Sequence, residues 1–258
     1  MVRPRVREDD WDSHWARYAA SASHNPAQQM RHQLVLAALR SVSWPTDRLL
    51  DIGSGQGDFL VNAAQLGAAR SYVGFELSEV GVRISQKKLP QAEFIEVDLY
   101  APAPECAKFL GWASAAVCSE VLEHVDDPVE FLRVVRNYLA DEAILILTVP
   151  GGPMSAFDRH IGHRRHYSSA LVRQTLARAG FNRETVWLAG FPVFNLYRLL
   201  VILRGRRLIG DIQAGDGGRA ASGVARVFMS AFRLLFKLNM RNCPMGWQVV
   251  AIARKGKP

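Results

Sequence analysis

Residues 49–60 read Leu-Leu-Asp-Ile-Gly-Ser-Gly-Gln-Gly-Asp-Phe-Leu. The apolar start of this stretch predicts a buried strand that ends near Asp51, and the remainder predicts a helix that begins after a glycine loop. The loop places Gly53, Gly55 and Gly57 at alternate positions. A ligand can approach bare glycine backbone closely, and the helix N-terminus that follows offers unpaired N–H groups. Taken alone, the loop fits a nucleotide-like ligand and an ordinary strand-to-helix turn equally well.

The composition and the hydrophobic pattern predict one α/β domain around this loop. The chain has 258 residues, of which 49% are hydrophobic and 22% charged, as expected for a protein that folds around a core. Apolar runs alternate with helical stretches, which predicts β-α-β units and a parallel sheet. The predicted strands are 49–52, 72–75, 94–97, 115–118, 144–149, 185–188 and 248–253. The predicted helices are 58–66, 80–89, 129–139 and 170–179, with further helical runs at 9–40, 191–203 and 224–238.

Acidic side chains follow the predicted strands at the edge where a ligand would bind. Glu76 ends the second strand, Asp98 follows the third, and Glu120 follows the fourth. Ligands of open parallel sheets bind outside the carboxyl ends of the strands, so these positions favour a nucleoside-type cofactor. A carboxylate at Glu76 can accept the hydroxyls of a ribose, and one at Asp98 can accept the exocyclic amine of an adenine. A dinucleotide is disfavoured, because Asp58 stands where a Gly-x-Gly-x-x-Gly fingerprint has its third glycine.

Four segments together resemble the motif series of class I S-adenosylmethionine-dependent methyltransferases. They are Leu-Leu-Asp-Ile-Gly-Ser-Gly-Gln-Gly (49–57), Gly-Phe-Glu-Leu-Ser (74–78), Glu-Val-Asp-Leu (96–99) and Ser-Glu-Val-Leu-Glu-His-Val (119–125). The resemblance covers about residues 45–190 and the final strand. It implies an α/β, Rossmann-like, seven-stranded mixed sheet whose last strand is antiparallel. It also implies a transferase that uses S-adenosyl-L-methionine as its cofactor.

The resemblance assigns a role to each matching position. Asp51 and the glycine loop would hold the methionine end of the cofactor, and Glu76 would hold the ribose hydroxyls. Asp98 with Leu99 would contact the adenine. Ser119 and the backbone near it would close over the amino-acid part of the cofactor.

Three further residues complete the expected cofactor site. Tyr18 and Arg31 belong to the predicted N-terminal helices and could reach the sulfonium side and the carboxylate of the cofactor, since arginine pairs bidentately with carboxylates; a surface arginine is the alternative. His124 is a candidate as well, with a packed structural histidine as its alternative. The expected cofactor-binding residues are Tyr18, Arg31, Asp51, Gly53, Ser54, Gly55, Glu76, Leu77, Asp98, Leu99, Ser119 and His124.

A dense polar segment after the fifth predicted strand is the candidate acceptor side. Residues 157–167 read Phe-Asp-Arg-His-Ile-Gly-His-Arg-Arg-His-Tyr, which is too polar for a core element and predicts a loop at the mouth of the sheet. Methyl transfer to a hydroxyl or an ammonium needs a general base, and histidine titrates in the required range. His160 and His163 are therefore the candidate catalytic bases. The candidate acceptor-binding residues are Arg159, Arg164, Arg165 and Tyr167.

Two alternatives apply to the same segment. Asp158, His160, His163 and His166 could bind a metal ion, but the neighbouring arginines would repel a cation, so no metal is expected. Arg165 and Tyr167 could instead tie the loop to the helix that follows.

The chain is expected to form a single methyltransferase domain. Its predicted parts are a helical lid (1–44), a cofactor-binding core (45–190), a helical insertion (191–243) and a final strand (244–258). The two apolar runs of the insertion are punctuated by arginine and fall short of the roughly 20 apolar residues that span a bilayer. They are expected either to cap the active site or to lie on a membrane surface.

Charge and cysteine content bear on partners and location. The net charge is +8, which favours anionic partners. The three cysteines are widely spaced and the charged N-terminus has no apolar signal core, so a cytoplasmic protein is expected, with a peripheral contact to the inner face of the membrane as an extension. No Asn/Asp-Pro-Pro-Tyr motif follows the fourth strand, so methylation of nucleic-acid bases is disfavoured and nucleic acid is not expected as a partner.

These observations lead to one functional hypothesis and three rivals. The hypothesis is transfer of a methyl group to an oxygen or nitrogen of a small, anionic or amphiphilic acceptor from a natural-product, glycan or lipid pathway. The first rival is an RNA or protein methyltransferase, which the net charge of +8 supports. The second is a membrane-surface binding module that uses the same fold, and the third is a nicotinamide dehydrogenase. The sequence does not predict the oligomeric state.

Overall fold

A computed structural model describes residues 11–13, 15, 25–42, 46–102, 104–213, 232 and 234–256. Its centre is a seven-stranded sheet in the order β3-β2-β1-β4-β5-β7-β6. Strand β7 is antiparallel to both of its neighbours, and the remaining pairs are parallel. The predicted mixed sheet with an antiparallel last strand is confirmed. The strands are β1 (Thr46–Ile52), β2 (Ala69–Glu76), β3 (Glu93–Glu96), β4 (Ala113–Ser119), β5 (Leu139–Pro150), β6 (Phe181–Ala189) and β7 (Gln248–Lys255).

Helices connect the strands and cover both faces of the sheet. They are α1 (Pro26–Val42), α2 (Asp58–Gln65), α3 (Glu79–Lys88), α4 (Pro128–Tyr138), α5 (Ala156–His160), α6 (Ser169–Arg178) and α7 (Val193–Gln213). Short 3₁₀-helices lie at Pro104–Phe109, Leu122–His124 and Phe236–Leu238. Several of these helices begin after an N-cap residue. Asn25 accepts a hydrogen bond from the Ala27 amide at the start of α1, Asp127 caps α4 and Ser168 caps α6.

Two predicted helical regions fall partly outside the described residues. Of the predicted run 9–40, residues 11–13, 15 and 26–42 are helical. Of the run 224–238, residues 224–231 and 233 lie outside the described part of the chain, and residues 236–238 form a 3₁₀-helix.

The expectation that residues 157–167 form a loop is wrong for the first part of this segment. Helix α5 begins after Ser155, whose side chain accepts a hydrogen bond from the Asp158 amide while the Asp158 carboxylate accepts one from the Ser155 amide. This reciprocal capping box satisfies backbone donors at the helix start. It permits a helix of five residues in a polar segment.

The sheet is buried on both faces, which explains why two leucines, Leu49 and Leu50, are adjacent in the strand before the glycine loop. Leu50 packs with helices α4 and α6 in one core cluster, and Leu49 packs with α1 and α2 in another. Both side chains are fully buried. Strands covered on both faces have continuous apolar runs instead of alternating ones.

Helix α7 joins the N-terminal helix to the C-terminal end of the chain. Val193 and Phe194 pack with Met30 and Leu34 of α1 in a third cluster, and their amides donate to Asn239. A non-helical backbone at Gly205 interrupts α7. None of the helices in the described ranges has the length and apolar character needed to cross a membrane.

Candidate active site

A cavity of about 680 Å³ lies at the carboxyl ends of β1, β4 and β5. The sheet side of its wall is formed by the glycine loop after β1, by the residues after Ser119 of β4 and by Pro150 of β5. Helices α1, α5 and α7 and the segment around Trp11 and Trp15 form the opposite side. Seven expected cofactor residues line this cavity together with both candidate bases. The seven are Arg31, Asp51, Gly53, Ser54, Gly55, Ser119 and His124, and the bases are His160 and His163.

The glycine loop is held by backbone hydrogen bonds and requires glycine for a steric reason. The amides of Gly53 and Ser54 both donate to the Phe75 carbonyl, at 2.8 and 2.9 Å. Gly53 and Gly55 have φ angles of 70° and 58°, in the left-handed region that favours glycine. A Cβ at Gly53 would lie 2.5 Å from Val121, and one at Gly55 would lie 2.6 Å from the Trp15 ring. The loop therefore needs bare backbone at both positions.

Asp51 is a buried carboxylate at the cavity. Its side chain is 3% exposed, and no hydrogen-bond or ion-pair partner for it is found among the described residues. Burial raises the pKa of Asp51 well above its ordinary value, and the charge of Glu76 adds to this. The Ser54 hydroxyl is likewise buried, with no hydrogen-bond partner in the described part of the chain. A cationic or polar ligand group in the cavity would satisfy both side chains.

Glu76 has a different environment from Asp51. Its carboxylate accepts the Gly55 amide at 2.7 Å and the Ser78 amide at 3.1 Å, so it fastens the glycine loop to the end of β2. Burial raises the pKa of Glu76, and these two hydrogen bonds oppose the rise. Glu76 does not line the cavity, so its expected contact with a ribose stays a prediction.

The remaining residues of the expected adenosine side also lie outside the cavity. Asp98 accepts the Tyr100 amide at 2.9 Å in the turn after β3, Leu99 is buried in the core, and Leu77 is exposed. Trp15 packs on Gly55 and borders the cavity. Tyr18 lies outside the described residues.

Residues 11–13 and 15 lie across the mouth of the site. Asp12 accepts hydrogen bonds from the Ser78 hydroxyl and the Val80 amide at the start of α3, at 2.5 and 3.2 Å. On the other side, the Trp11 ring meets the His124 ring edge-on at 4.8 Å. These contacts place the segment over the carboxyl ends of the strands.

Residues at the end of β4 form a polar group with α1 and β7. The Ser119 hydroxyl is 2.7 Å from that of Thr148. Glu120 accepts from Thr148 at 3.2 Å and from Gln248 at 2.8 Å. Arg31 lies 3.6 Å from Glu120, so the residue expected to bind the cofactor carboxylate forms an ion pair with a protein carboxylate.

A cluster of histidine and glutamate side chains lies where the residues after β4 meet the segment after α5. Glu123 Oε1 is 4.0 Å from His163 Nε2, and the His163 and His124 rings are 4.7 Å apart. His163 Nδ1 is 3.3 Å from His166 Nε2. Burial raises the pKa of Glu123 well above its usual range, and burial together with the His124 charge lowers the pKa of His163 to about 3. His160 is exposed on the same cavity wall.

The four expected acceptor-binding residues do not line the cavity. Arg164 pairs with Asp126 at 2.7 Å, and Arg165 donates to the Asp126 carbonyl. The Tyr167 hydroxyl donates to the Leu122 carbonyl at 3.0 Å. These contacts hold the segment against the 122–126 loop. The alternative stated for Arg165 and Tyr167 was a structural role against the helix that follows, and the structure places their hydrogen-bond partners in the 122–126 loop instead. The fourth residue, Arg159, is exposed and its guanidinium faces the Ser155 carbonyl.

The sequence analysis gave the run 191–203 a possible role in capping the active site but named none of its residues. Phe194, Tyr197 and Val201 line the cavity from helix α7. Arg198 forms two hydrogen bonds of 2.8 Å with the two oxygens of Asp158. An arginine within an otherwise apolar helical run was the available signal, because a buried arginine needs an acidic partner.

The match to a family decides the identity. Residues 15–186, well over half of the chain, match a protein-family model described as a methyltransferase domain. The chain belongs to this methyltransferase family. Its cofactor is S-adenosyl-L-methionine. The buried Asp51 and Ser54 side chains and the bare glycine backbone fit the amino-acid end of that cofactor.

Solved structures support the fold of the methyltransferase. Phosphoethanolamine N-methyltransferase 2 of Haemonchus contortus, in complex with S-adenosyl-L-methionine, aligns with a TM-score of 0.59 and 14% identity over 99% of this chain and 62% of its own length. A Haloferax volcanii methyltransferase in complex with the Trm112 activator aligns with a TM-score of 0.62 and 14% identity over 98% and 100%. The cyclase SpnF aligns with a TM-score of 0.60 and 17% identity over the full length of both chains.

At identities of 14–17%, these similarities show a shared fold. The chain spans less than two-thirds of the Haemonchus enzyme. No curated protein sequence matches the chain.

We expect Asp51→Ala and Glu76→Ala each to weaken binding of S-adenosyl-L-methionine by about 1–3 kcal/mol. In the first variant a polar group of the ligand loses its buried partner, and in the second the glycine loop loses its anchor. Isothermal titration calorimetry measures the change. Asp47→Ala, on the same strand but 69% exposed, is the matched control and should bind normally. Unchanged affinity in both site variants would remove the assignment of this end of the cavity to the cofactor.

Proposed function

We propose that this methyltransferase transfers a methyl group to an oxygen or nitrogen of a small, anionic or amphiphilic acceptor of a natural-product, glycan or lipid pathway. The observation that carries the proposal is the cavity itself. At about 680 Å³ it falls in the size range of small-molecule sites. It joins the glycine loop to a wall of histidine and aromatic side chains, so the methyl donor and a small acceptor can meet inside it.

The cofactor and the acceptor would bind to two different walls of the cavity. On the sheet side, Asp51, Ser54 and the glycine backbone hold the amino-acid end of the cofactor, whose bound sulfonium supplies an electrophilic methyl carbon. On the other side, Phe194, Tyr197 and Val201 of α7 offer an apolar surface that suits the hydrocarbon part of an acceptor. Exclusion of water between the walls favours displacement at carbon over solvation of the acceptor atom.

Removal of the acceptor proton falls to a histidine of the segment after β5. His160 is exposed on the cavity wall and has access to an incoming acceptor. His163 is 9% exposed and its ring nitrogens face Glu123 and His166, so it is held within the protein. We therefore take His160 as the proton acceptor, and Arg31, on the cavity beside Glu120, as the contact for an anionic group of the cofactor or the acceptor.

We also propose a peripheral membrane contact in the cytoplasm. Leu196, Leu199 and Leu203 on α7 are 52%, 42% and 73% exposed, while other residues of the same helix line the cavity. Such a helix can rest on a lipid surface and receive an amphiphilic acceptor from it.

Sedimentation with phosphatidylglycerol vesicles tests this contact. Vesicle binding should be lost in Leu199→Glu, and retained binding would show that this face of α7 does not contact the membrane. No disulfide joins the cysteines, in keeping with a cytoplasmic location.

Release of S-adenosylhomocysteine across a panel of acceptors tests the function. The panel contains hydroxyl and amine compounds that carry a phosphate or carboxylate group, with and without an alkyl tail. Total RNA and protein extract are assayed alongside at two salt concentrations. Turnover confined to RNA or protein, falling steeply with added salt, would overturn the small-molecule proposal in favour of a macromolecular acceptor.

A further inference from the structure

We propose that Glu123, His124 and His163 form a site for a divalent transition-metal ion beside the cofactor pocket. Each of these residues offers one ligand atom, and the three atoms lie within 4.8 Å of one another. All three residues line the cavity that contains Asp51 and Gly53. The site revises the expectation from the sequence that no metal binds, and it uses a different set of residues from the one considered there.

Glu123 is the strongest indication that this cluster binds a cation. The residue is 1% exposed, and its Oε2 atom has no hydrogen-bond partner among the described residues. A buried carboxylate without compensation is costly, and proteins satisfy such groups by pairing them or by binding a metal. A second carboxylate, that of Glu120, lies near Glu123 and carries the same charge. The side chains around Glu123 also include histidine.

The hydrogen bonds of the histidine pair prepare His163 as a ligand. His166 Nδ1 lies 3.0 Å from the Gly152 carbonyl, which can only accept, so this nitrogen carries the proton. The Nε2 atom of a neutral His166 is then an acceptor, and His163 must donate to it from Nδ1 across 3.3 Å. That leaves a lone pair on His163 Nε2, the nitrogen that faces Glu123. Metal-ligating histidines are oriented in this way by a hydrogen bond from their other nitrogen.

The neighbouring Asp158, His163 and His166 offer a second set of ligand atoms, but its carboxylate is already occupied. Asp158 accepts two hydrogen bonds from Arg198, and its Oδ2 also accepts from the amide and hydroxyl of Ser155. An arginine on a carboxylate excludes a cation from it. The Glu123 set is therefore the one we assign.

The arginines near the Glu123 set have partners of their own. Arg164 forms an ion pair with Asp126, and Arg165 donates to the Asp126 carbonyl. Arg31 is paired with Glu120, and Arg198 with Asp158. The carboxylates of Asp126, Glu120 and Asp158 offset the charges of their arginines, which weakens the electrostatic objection raised from the sequence.

The donor set indicates the class of ion. Two imidazoles and one carboxylate suit Zn²⁺, Mn²⁺, Fe²⁺ or Co²⁺ better than Mg²⁺ or Ca²⁺, which prefer oxygen ligands. With metal–ligand bonds of about 2.0–2.2 Å, the three side chains would close together by about 1 Å on binding. Three protein ligands leave positions open toward the cavity, where an acceptor oxygen can enter.

The role of the ion, unlike the site itself, rests on the proposed function. An acceptor hydroxyl next to the ion loses its proton more readily, because the positive charge stabilises the oxygen anion. His160 accepts that proton. The oxygen lone pair forms the new O–CH₃ bond while the C–S bond breaks and its electrons return to sulfur. His163 is then a ligand and not a base.

Cobalt binding to the metal-stripped protein tests the site without cofactor or acceptor. Titration with Co²⁺, followed by visible absorption and calorimetry, should show one ion per chain. Glu123→Gln and His163→Asn should each weaken binding by more than about 100-fold, and His166→Asn by about 10–100-fold through loss of the orienting hydrogen bond. His160→Asn, on the same cavity wall, is the matched control and should bind Co²⁺ as the native protein does.

Two outcomes would overturn the site. One is the absence of Co²⁺, Mn²⁺ and Zn²⁺ binding below millimolar concentration; the other is native affinity in both Glu123→Gln and His163→Asn. Binding of S-adenosylhomocysteine verifies that each variant is folded. If a variant does not fold, Mn²⁺ broadening of the His124 and His163 ring signals in the native protein decides the question. Because the titration contains no acceptor, a failure here leaves the proposed methyl transfer standing.

Discussion

His160→Asn is expected to lower kcat by about 10²–10⁴-fold while S-adenosyl-L-methionine binds with unchanged affinity. His160 is exposed on the cavity wall opposite the glycine loop, where an acceptor would bind. Loss of a positioned base leaves the acceptor protonated and a poor nucleophile, but it removes no contact from the Asp51 side of the cavity.

Release of S-adenosylhomocysteine at saturating acceptor measures the effect, and calorimetry measures the cofactor affinity. Arg159→Ala is the matched control, because Arg159 is adjacent in sequence, exposed and outside the cavity. His163→Asn should also lose turnover, because His163 is a ligand that orders the site. Full rates in both histidine variants would show that neither residue takes part in proton removal.

The sheet, and the edge of the sheet at which the cavity lies, could be predicted because they depend on local patterns. The run from Leu49 to Leu60 contains the end of a strand, a turn and a helix start within twelve residues. Its adjacent leucines, Leu49 and Leu50, reflect burial of the strand on both faces of the sheet. Asp51 and Ser119 could be placed at the site from sequence order alone, since parallel strands bring their carboxyl ends to one edge. The antiparallel β7 came from the resemblance to a family and not from the pattern.

The acceptor side was harder to predict because its contacts are long-range. The polar composition of residues 157–167 predicted a loop that faces the substrate, yet Arg164, Arg165 and Tyr167 bind the 122–126 loop, about 40 residues earlier. Whether an arginine binds a ligand or a backbone carbonyl depends on which loop lies beside it. Residue spacing within the segment does not indicate which of these two partners an arginine binds.

Helix α5 could not be predicted from the sequence either, because its stability also depends on a long-range contact. Its capping residues, Ser155 and Asp158, could be read from the sequence, but five residues alone do not make a stable helix. The stabilising partner is Arg198, 40 residues further along the chain. This pair links the insertion to the acceptor side, so the position of α7 and the order of the histidine segment depend on each other.

Arg198→Ala is expected to lower the free energy of unfolding by about 3–5 kcal/mol. Asp158 is 0% exposed and the Arg198 side chain is 13% exposed, so the substitution leaves a buried carboxylate without its counter-charge. Urea unfolding measures the loss. Asp158→Asn combined with Arg198→Met removes both charges and should recover most of the stability. Arg83→Ala, which breaks an exposed pair with Glu79, is the control and should change stability by less than about 1 kcal/mol.

The pH dependence of unfolding provides a second test of the same pair. Burial alone would raise the pKa of Asp158, but the hydrogen bonds and charge of Arg198, with those of Ser155, outweigh it and hold the pKa below its ordinary value. The folded state thus binds this proton more weakly than the unfolded chain. The stabilisation is fully present above the unfolded pKa of about 4 and is lost as the pH falls toward the folded value. In Arg198→Ala the unpaired carboxyl has a raised pKa, so the difference from the native protein should shrink as the pH falls from 7 to about 4. A difference that is constant over this range would show that Asp158 and Arg198 do not act as an ion pair.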